Sequence, residues 1–121
     1  MKTILIVEDN PAHMKLAVLL LQRSGYAVLT AADATAGLRL ARERRPDLIV
    51  MDIQLPDLDG IEATRRLKAD AATRDIPVIA VTAYLAQHPE QELLAAGCAA
   101  IIAKPYHYQD FLAAIAAALG K

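Results

Sequence analysis

The sequence predicts an α/β fold in which helices cover both faces of a parallel sheet. Three observations carry this expectation. Short apolar runs alternate with helical patterns along the whole chain, the runs are apolar on both sides rather than at every second residue, and Gly or Pro marks most junctions. A chain of 121 residues suits one core, so residues 1–121 are expected to form a single domain.

The elements follow in order. "TILIV", Thr3–Val7, is short and β-branched and reads as the first strand. Asn10 can cap the helix that follows, with Pro11 at its first position, Leu16, Leu19 and Leu20 among its core residues and Gly25 at its end. "AVLTA", Ala27–Ala31, is the second strand, and Ala34–Arg45 a helix stopped by Pro46. "LIVM", Leu48–Met51, is the third strand, and Asp59 can cap a helix over Ile61–Ala69. "VIAVT", Val78–Thr82, is the fourth, with a helix over Gln87–Ala96 closed by Gly97. "AAII", Ala99–Ile102, is the fifth, and Tyr108–Leu119 the last helix. Five strands at this length point to a flavodoxin-like (βα)5 three-layer sandwich in the order 2-1-3-4-5, with helix faces alternating through right-handed crossovers.

Composition excludes several classes. A net charge of -1 offers no basic footprint for nucleic acid. A single cysteine, Cys98, forms no internal disulfide and suits a reducing cytosol. No apolar run approaches the ~20 residues of a membrane span, and the acids at Glu8 and Asp9 interrupt any signal-peptide core. A cytoplasmic protein without membrane or nucleic-acid contact is expected.

Open parallel sheets do their chemistry beyond the carboxyl ends of the strands, near the point where strand order reverses. Glu8, Asp9 and Asn10 follow strand one, Asp52 follows strand three, Thr82 ends strand four, and Lys104-Pro105 follows strand five. Two of these carboxylates ~5 Å apart at an effective dielectric of ~20 oppose each other by ~3 kcal/mol. A divalent cation relieves that repulsion, and oxygen-only donors favour Mg²⁺. A carboxylate beside Mg²⁺ can attack phosphorus and form an aspartyl phosphate, with the metal, Lys104 and Thr82 each serving one oxygen of the phosphoryl group.

These residues, from "ILIVEDN" through "MDIQLPDLDG" and "VIAVTA" to "AKP", resemble the receiver domain of bacterial response regulators over essentially the whole chain. The phrasing "VEDN", "MDIQLP" and "VTA" is similar to that of stand-alone receivers of the division-control DivK type. The resemblance implies that Asp52 is the phosphoacceptor, Asp9 a direct Mg²⁺ ligand and Glu8 a ligand through water. It also implies that Gln54 lends the metal its backbone carbonyl, that Thr82 is the switch hydroxyl, and that Lys104 binds phosphate before a cis proline. A histidine kinase or histidine phosphotransferase would supply the phosphoryl group. A downstream protein would read it on the face formed by helix four, strand five and helix five, the chain itself being a monomer or weak dimer. With no linker or DNA-binding domain in view, a stand-alone receiver is expected; a piece of a hybrid kinase or multidomain regulator is the alternative.

One position departs from the pattern. Many receivers carry an aromatic three residues before the lysine, where this chain has Ile101, which has no ring to swing. Tyr84 or Tyr106 is the candidate replacement. His13, His88 and His107 read as surface residues, since none stands at a strand end, and Cys98 as a small buried one. An aspartate-nucleophile phosphatase is the competing function. It would place a second Asp two residues after the nucleophile, where this chain has Gln54. Nucleotide binding would require a glycine-rich loop that "VEDNPAH" does not provide.

Overall fold

The computed structural model describes residues 1–83 and 90–120. Its strands β1 (Thr3–Val7), β2 (Ala27–Ala31), β3 (Leu48–Asp52), β4 (Val78–Thr82) and β5 (Ala100–Ala103) form one parallel sheet in the order β2-β1-β3-β4-β5. The helices are α1 (Pro11–Arg23), α2 (Ala34–Arg44), α3 (Gly60–Ala69), α4 (Glu90–Ala96) and α5 (Tyr108–Leu119). The flavodoxin-like order is as expected. Asp52 belongs to β3 rather than following it, and β5 starts one residue later than the sequence suggests. The expected start of the fourth helix, Gln87–Pro89, lies outside the described residues.

Local chemistry sets the helix starts. The Asn10 side chain accepts from the N–H groups of Ala12 at 2.9 Å and His13 at 3.1 Å. Asp33 accepts from Ala36 N–H at 2.8 Å, and Asp59 from Ile61 N–H at 2.7 Å. Each side chain satisfies donors that the first turn of a helix leaves without partners. Gly25 and Gly97 adopt φ of 90° and 113° just past α1 and α4, a conformation that favours glycine.

Alternation along the strands divides the core in two. Ile4, Ile6, Leu48, Val50, Ile79 and Val81 pack under α1 and α5, around the fully buried Phe111 and Ile115. Leu5, Val7, Ile49, Met51, Val78 and Ala80 pack under α2, α3 and α4. The helices therefore do not alternate faces one by one, as the sequence reading has it. The first crossover, β1 to β2, runs toward one edge and the next three run the other way. A constant right hand then places α1 opposite α2, α3 and α4. By the same alternation Asp52 continues the α1/α5 side of β3, while Thr82 continues the opposite side of β4.

Helix α1 corrects another expectation. Ala17 and Leu21 are its buried residues, with Met14, Val18 and Leu20 packed beside them, whereas Leu16 and Leu19 are 52% and 46% exposed. The run "AVLLL" is apolar on nearly every side, so hydrophobic periodicity alone does not choose the face; the stripe at 14, 17, 18 and 21 does the packing.

Close approach, not a left-handed backbone, explains glycine at position 60. A Cβ there would stand 2.5 Å from the Asp52 carbonyl oxygen and 2.6 Å from Ile53 Cα. Both are backbone atoms and cannot step aside without moving the end of β3. Gly60→Ala is expected to cost ~1–3 kcal/mol of overpacking strain, measured by urea unfolding. A variant as stable as the parent would show that the β3–α3 connection yields easily.

Candidate functional site

Register lines up the strand ends. Val7 pairs with Met51, Asp52 with Val81, and Thr82 with Ala103. Glu8 therefore emerges beside Asp52, and Lys104 one step beyond the partner of Thr82. The Lys104 N–H donates to the Thr82 carbonyl at 2.8 Å, tying that end of β5 to β4. The Lys104-Pro105 bond is cis, as the resemblance implies.

The side chains meet as the sequence suggests. Glu8, Asp9 and Asp52 bring carboxylate oxygens within 4.8 Å of one another. Lys104 Nζ stands 2.8 Å from Glu8 Oε1 and 3.4 Å from Asp52 Oδ2. Asp52 Oδ1 accepts from Gln54 N–H at 3.0 Å, and Glu8 Oε2 from Asn10 N–H at 3.1 Å. Glu8 and Asp52 are buried, Thr82 is fully buried, and Asp9 and Gln54 face solvent.

Electrostatics splits the buried pair. Burial pushes the Asp52 carboxyl up from 3.8 to about 6, and its hydrogen bond with Glu8 adds to that rise. Burial also opposes ionisation of Glu8, yet hydrogen bonds from Asp52, Lys104 and Asn10 prevail and hold it below its usual value. The shorter lysine contact, 2.8 Å against 3.4 Å, favours the charge on Glu8, so Asp52 is the member of the pair that keeps its proton to higher pH. Burial likewise disfavours a charged Lys104, but the hydrogen bond to Glu8 and the charges of both carboxylates keep it raised and cationic.

One site residue was missed by sequence reasoning. His13, read as a surface histidine and not as part of the site, is exposed at 53% as expected, yet places Nδ1 3.3 Å from Lys104 Nζ and 3.8 Å from Glu8 Oε1. The signal was available: His13 lies in the first turn of a helix that Asn10 starts two residues after Glu8, on the sheet face that Asp52 occupies. His107 is exposed at the start of α5, as expected; His88 and Tyr84 lie outside the described residues. Tyr106 stacks on Phe111 with ring centroids 4.9 Å apart. With His13, Leu16, Ala83, Lys104 and Pro105 it lines a cavity of about 390 Å³ beside the acids. Ile101 is half-buried in the core under α2, α3 and α4.

The donor set fits a hard divalent cation. Three carboxylates share the cleft and one ammonium offsets one of their charges, so a cation removes repulsion that the described side chains leave uncompensated. Without metal, between pH 3.8 and about 6 the folded protein keeps a proton on Asp52 that the unfolded chain has lost. That contribution is complete below 3.8 and disappears as pH rises through about 6. In chelator-treated protein, stability is expected to fall across this window, and Asp52→Asn to be more stable than the parent at neutral pH by ~1–3 kcal/mol. Calorimetric melting across the pH range checks this; parallel profiles for the two proteins would refute it.

Comparison with known proteins agrees with this geometry. The model of the response regulator receiver domain family matches residues 4–116. The polar-differentiation response regulator DivK of Brucella anthropi is 46% identical over 119 residues, covering 98% of this chain and 97% of DivK. The receiver domain of a sensor histidine kinase from Pseudomonas aeruginosa PAO1 was solved with a magnesium ion coordinated in its active-site cleft. It aligns with a TM-score of 0.92 at 36% identity, covering 99% of this chain and 98% of that one. A chemotaxis protein of Vibrio cholerae aligns with a TM-score of 0.91 at 27% identity, covering 98% of this chain and 99% of that one. Among the described residues no helix is long and apolar enough to cross a membrane. A similarity that spans the sheet, the helices and every strand end bearing an acid or the lysine is that of a family, and the chain belongs to the response regulator receiver domains of two-component signalling.

Proposed function

We propose that this chain is a cytoplasmic phosphorylation switch whose phosphoacceptor is Asp52. The observation that carries the proposal is the position of the Asp52 carboxyl, within 4.8 Å of Glu8 and Asp9 oxygens and 3.4 Å from the Lys104 ammonium. Glu8, Asp9, Asp52 and the backbone carbonyl of Gln54 would hold Mg²⁺, which when bound would neutralise the carboxylates and the phosphoryl oxygens. An Asp52 oxygen attacks the phosphorus of a phosphohistidine on a histidine kinase or histidine phosphotransferase. The new O–P bond replaces the P–N bond, and the electron pair returns to the imidazole. Lys104 leaves its pairing with Glu8 to hold one phosphoryl oxygen, and the Thr82 hydroxyl turns to another.

The protein turns over no external substrate; it assists only its own phosphorylation and hydrolysis. Phosphate at Asp52 biases the loops after β3 and β4 between two states by a few kcal/mol, enough to redistribute their populations. A downstream protein reads the change on the face formed by α4, β5 and α5, the chain itself acting as a monomer or weak dimer. Ile101 takes no part in the aromatic movement usual in this family.

Two measurements test the proposal. Incubation with acetyl phosphate and Mg²⁺ is expected to add the mass of one phosphoryl group to the parent protein and none to Asp52→Ala; equal labelling of both would discard Asp52 as acceptor. Gln54 is exposed and flanks the acceptor, its N–H donating to Asp52 Oδ1 at 3.0 Å. Its substitution by Ala is therefore expected to change the decay rate of the phosphorylated protein several-fold while leaving the yield of phosphorylation nearly intact. Identical decay in parent and variant would remove that role.

A further inference from the structure

The loop between β3 and α3, residues 53–59, leaves the site through Gln54 and is fastened at three points. At its start, Gln54 N–H donates to Asp52 Oδ1 at 3.0 Å; at its end, Gly60 N–H donates to the Ile53 carbonyl at 2.9 Å. The third point is Asp57, an exposed residue whose carboxylate reaches back to the first turn of α2. Its Oδ1 accepts from Ala34 N–H at 2.9 Å, and its Oδ2 from Thr35 N–H at 3.0 Å and the Thr35 hydroxyl at 2.5 Å.

Helix α2 thus has a divided cap. Its own Asp33 takes the Ala36 N–H, while the N–H groups of the first two helical residues are taken by a side chain 22 or more positions later in the chain. A cap of local origin stabilises a helix and does nothing else. One supplied by another loop also fixes that loop. The Thr35 hydroxyl bond and the two backbone bonds draw the Asp57 carboxyl down to about 2, so the tie stays ionised and closed at any physiological pH. On either side of Asp57, Leu55 and Leu58 pack against the core under α2 and α3, directing the loop onto the same layer.

We infer that Asp57 is a positioning residue for the acidic site: by fastening residues 53–59 to the N-terminus of α2, it sets where the Gln54 backbone stands against Asp52. A backbone ligand can be placed only through the path of its own loop, so the fastening governs the grip on a divalent cation. The inference rests on the metal-binding role proposed above for Glu8, Asp9, Asp52 and Gln54. It also joins the β2–α2 junction, at the outer edge of the sheet, to the centre.

Calorimetric titration with MgCl₂ tests it on the parent, Asp57→Ala, Thr35→Val, Thr35→Ser and Asp33→Ala. The last removes a cap from the same helix end without touching the loop. Asp57→Ala is expected to weaken Mg²⁺ binding roughly 3- to 10-fold, short of the loss typical for groups that touch a ligand directly. Thr35→Val should show a smaller loss in the same direction and Thr35→Ser none. Asp33→Ala should stay within about 2-fold of the parent even though its Tm falls, because it leaves the ligand loop tied. Equal weakening in Asp33→Ala and Asp57→Ala would reduce the effect to helix stability and overturn the inference. Unchanged affinity in Asp57→Ala would overturn it as well. If Asp57→Ala does not fold, Thr35→Val, which keeps the carboxylate and removes one bond of three, decides by the same criterion. Failure of the underlying site shows separately: Asp52→Ala binding Mg²⁺ as tightly as the parent would dismiss the metal site and this inference with it.

Discussion

Glu8, Asp9 and Asp52 crowd their carboxylates within 4.8 Å at the edge of an apolar core, and Lys104 reaches across from β5 to meet two of them. Like charges this close cost several kcal/mol unless something offsets them. Here the offset comes in two parts. The ammonium pairs with Glu8, and below pH about 6 a proton on Asp52 cancels a second charge. Both are exchangeable in a chemical sense: a bound cation would displace the proton, and a phosphoryl group on Asp52, as proposed, would compete for the ammonium. The site is thus assembled around charges whose partners can be exchanged, which is the property a reversible signalling module requires.

The sheet makes such an arrangement possible without strain. Parallel strands deliver all their carboxyl ends to one edge, and the register brings residues from positions 8, 52, 82 and 104 into line. The surrounding packing is apolar on both faces, so the charged groups of the site gather at the rim, where Asp9 is exposed and Glu8 and Asp52 are covered. His13 and Tyr106 complete that rim from the α1/α5 side.

Much of this was legible in the residues themselves. Strand runs such as "TILIV" and "VIAVT" are short, β-branched and bounded by turn residues, so their limits follow from composition. The acidic pair, Asp52, Thr82 and Lys104 were readable because each terminates or follows a strand. What escaped depends on tertiary geometry. Which side of α1 packs was hidden by leucines on every face, and His13 was discounted because its helix turns back over the acids only in three dimensions. The tie from Asp57 to Ala34 and Thr35 spans more than twenty residues of chain and leaves no periodic trace. The placement of α1 opposite α2, α3 and α4 follows from the order of strands rather than from any local pattern.

The alternation of side chains along the strands carries one more consequence. Asp52 continues the side of the sheet that supports α1 and α5, whereas Thr82 continues the side beneath α2, α3 and α4. A phosphoryl group anchored on the first and hydrogen-bonded by the second, as proposed, would act as a rivet through the sheet, clamping the two helical layers together. Chemistry confined to a few ångströms would then be felt as a change of stiffness between the two halves of the molecule.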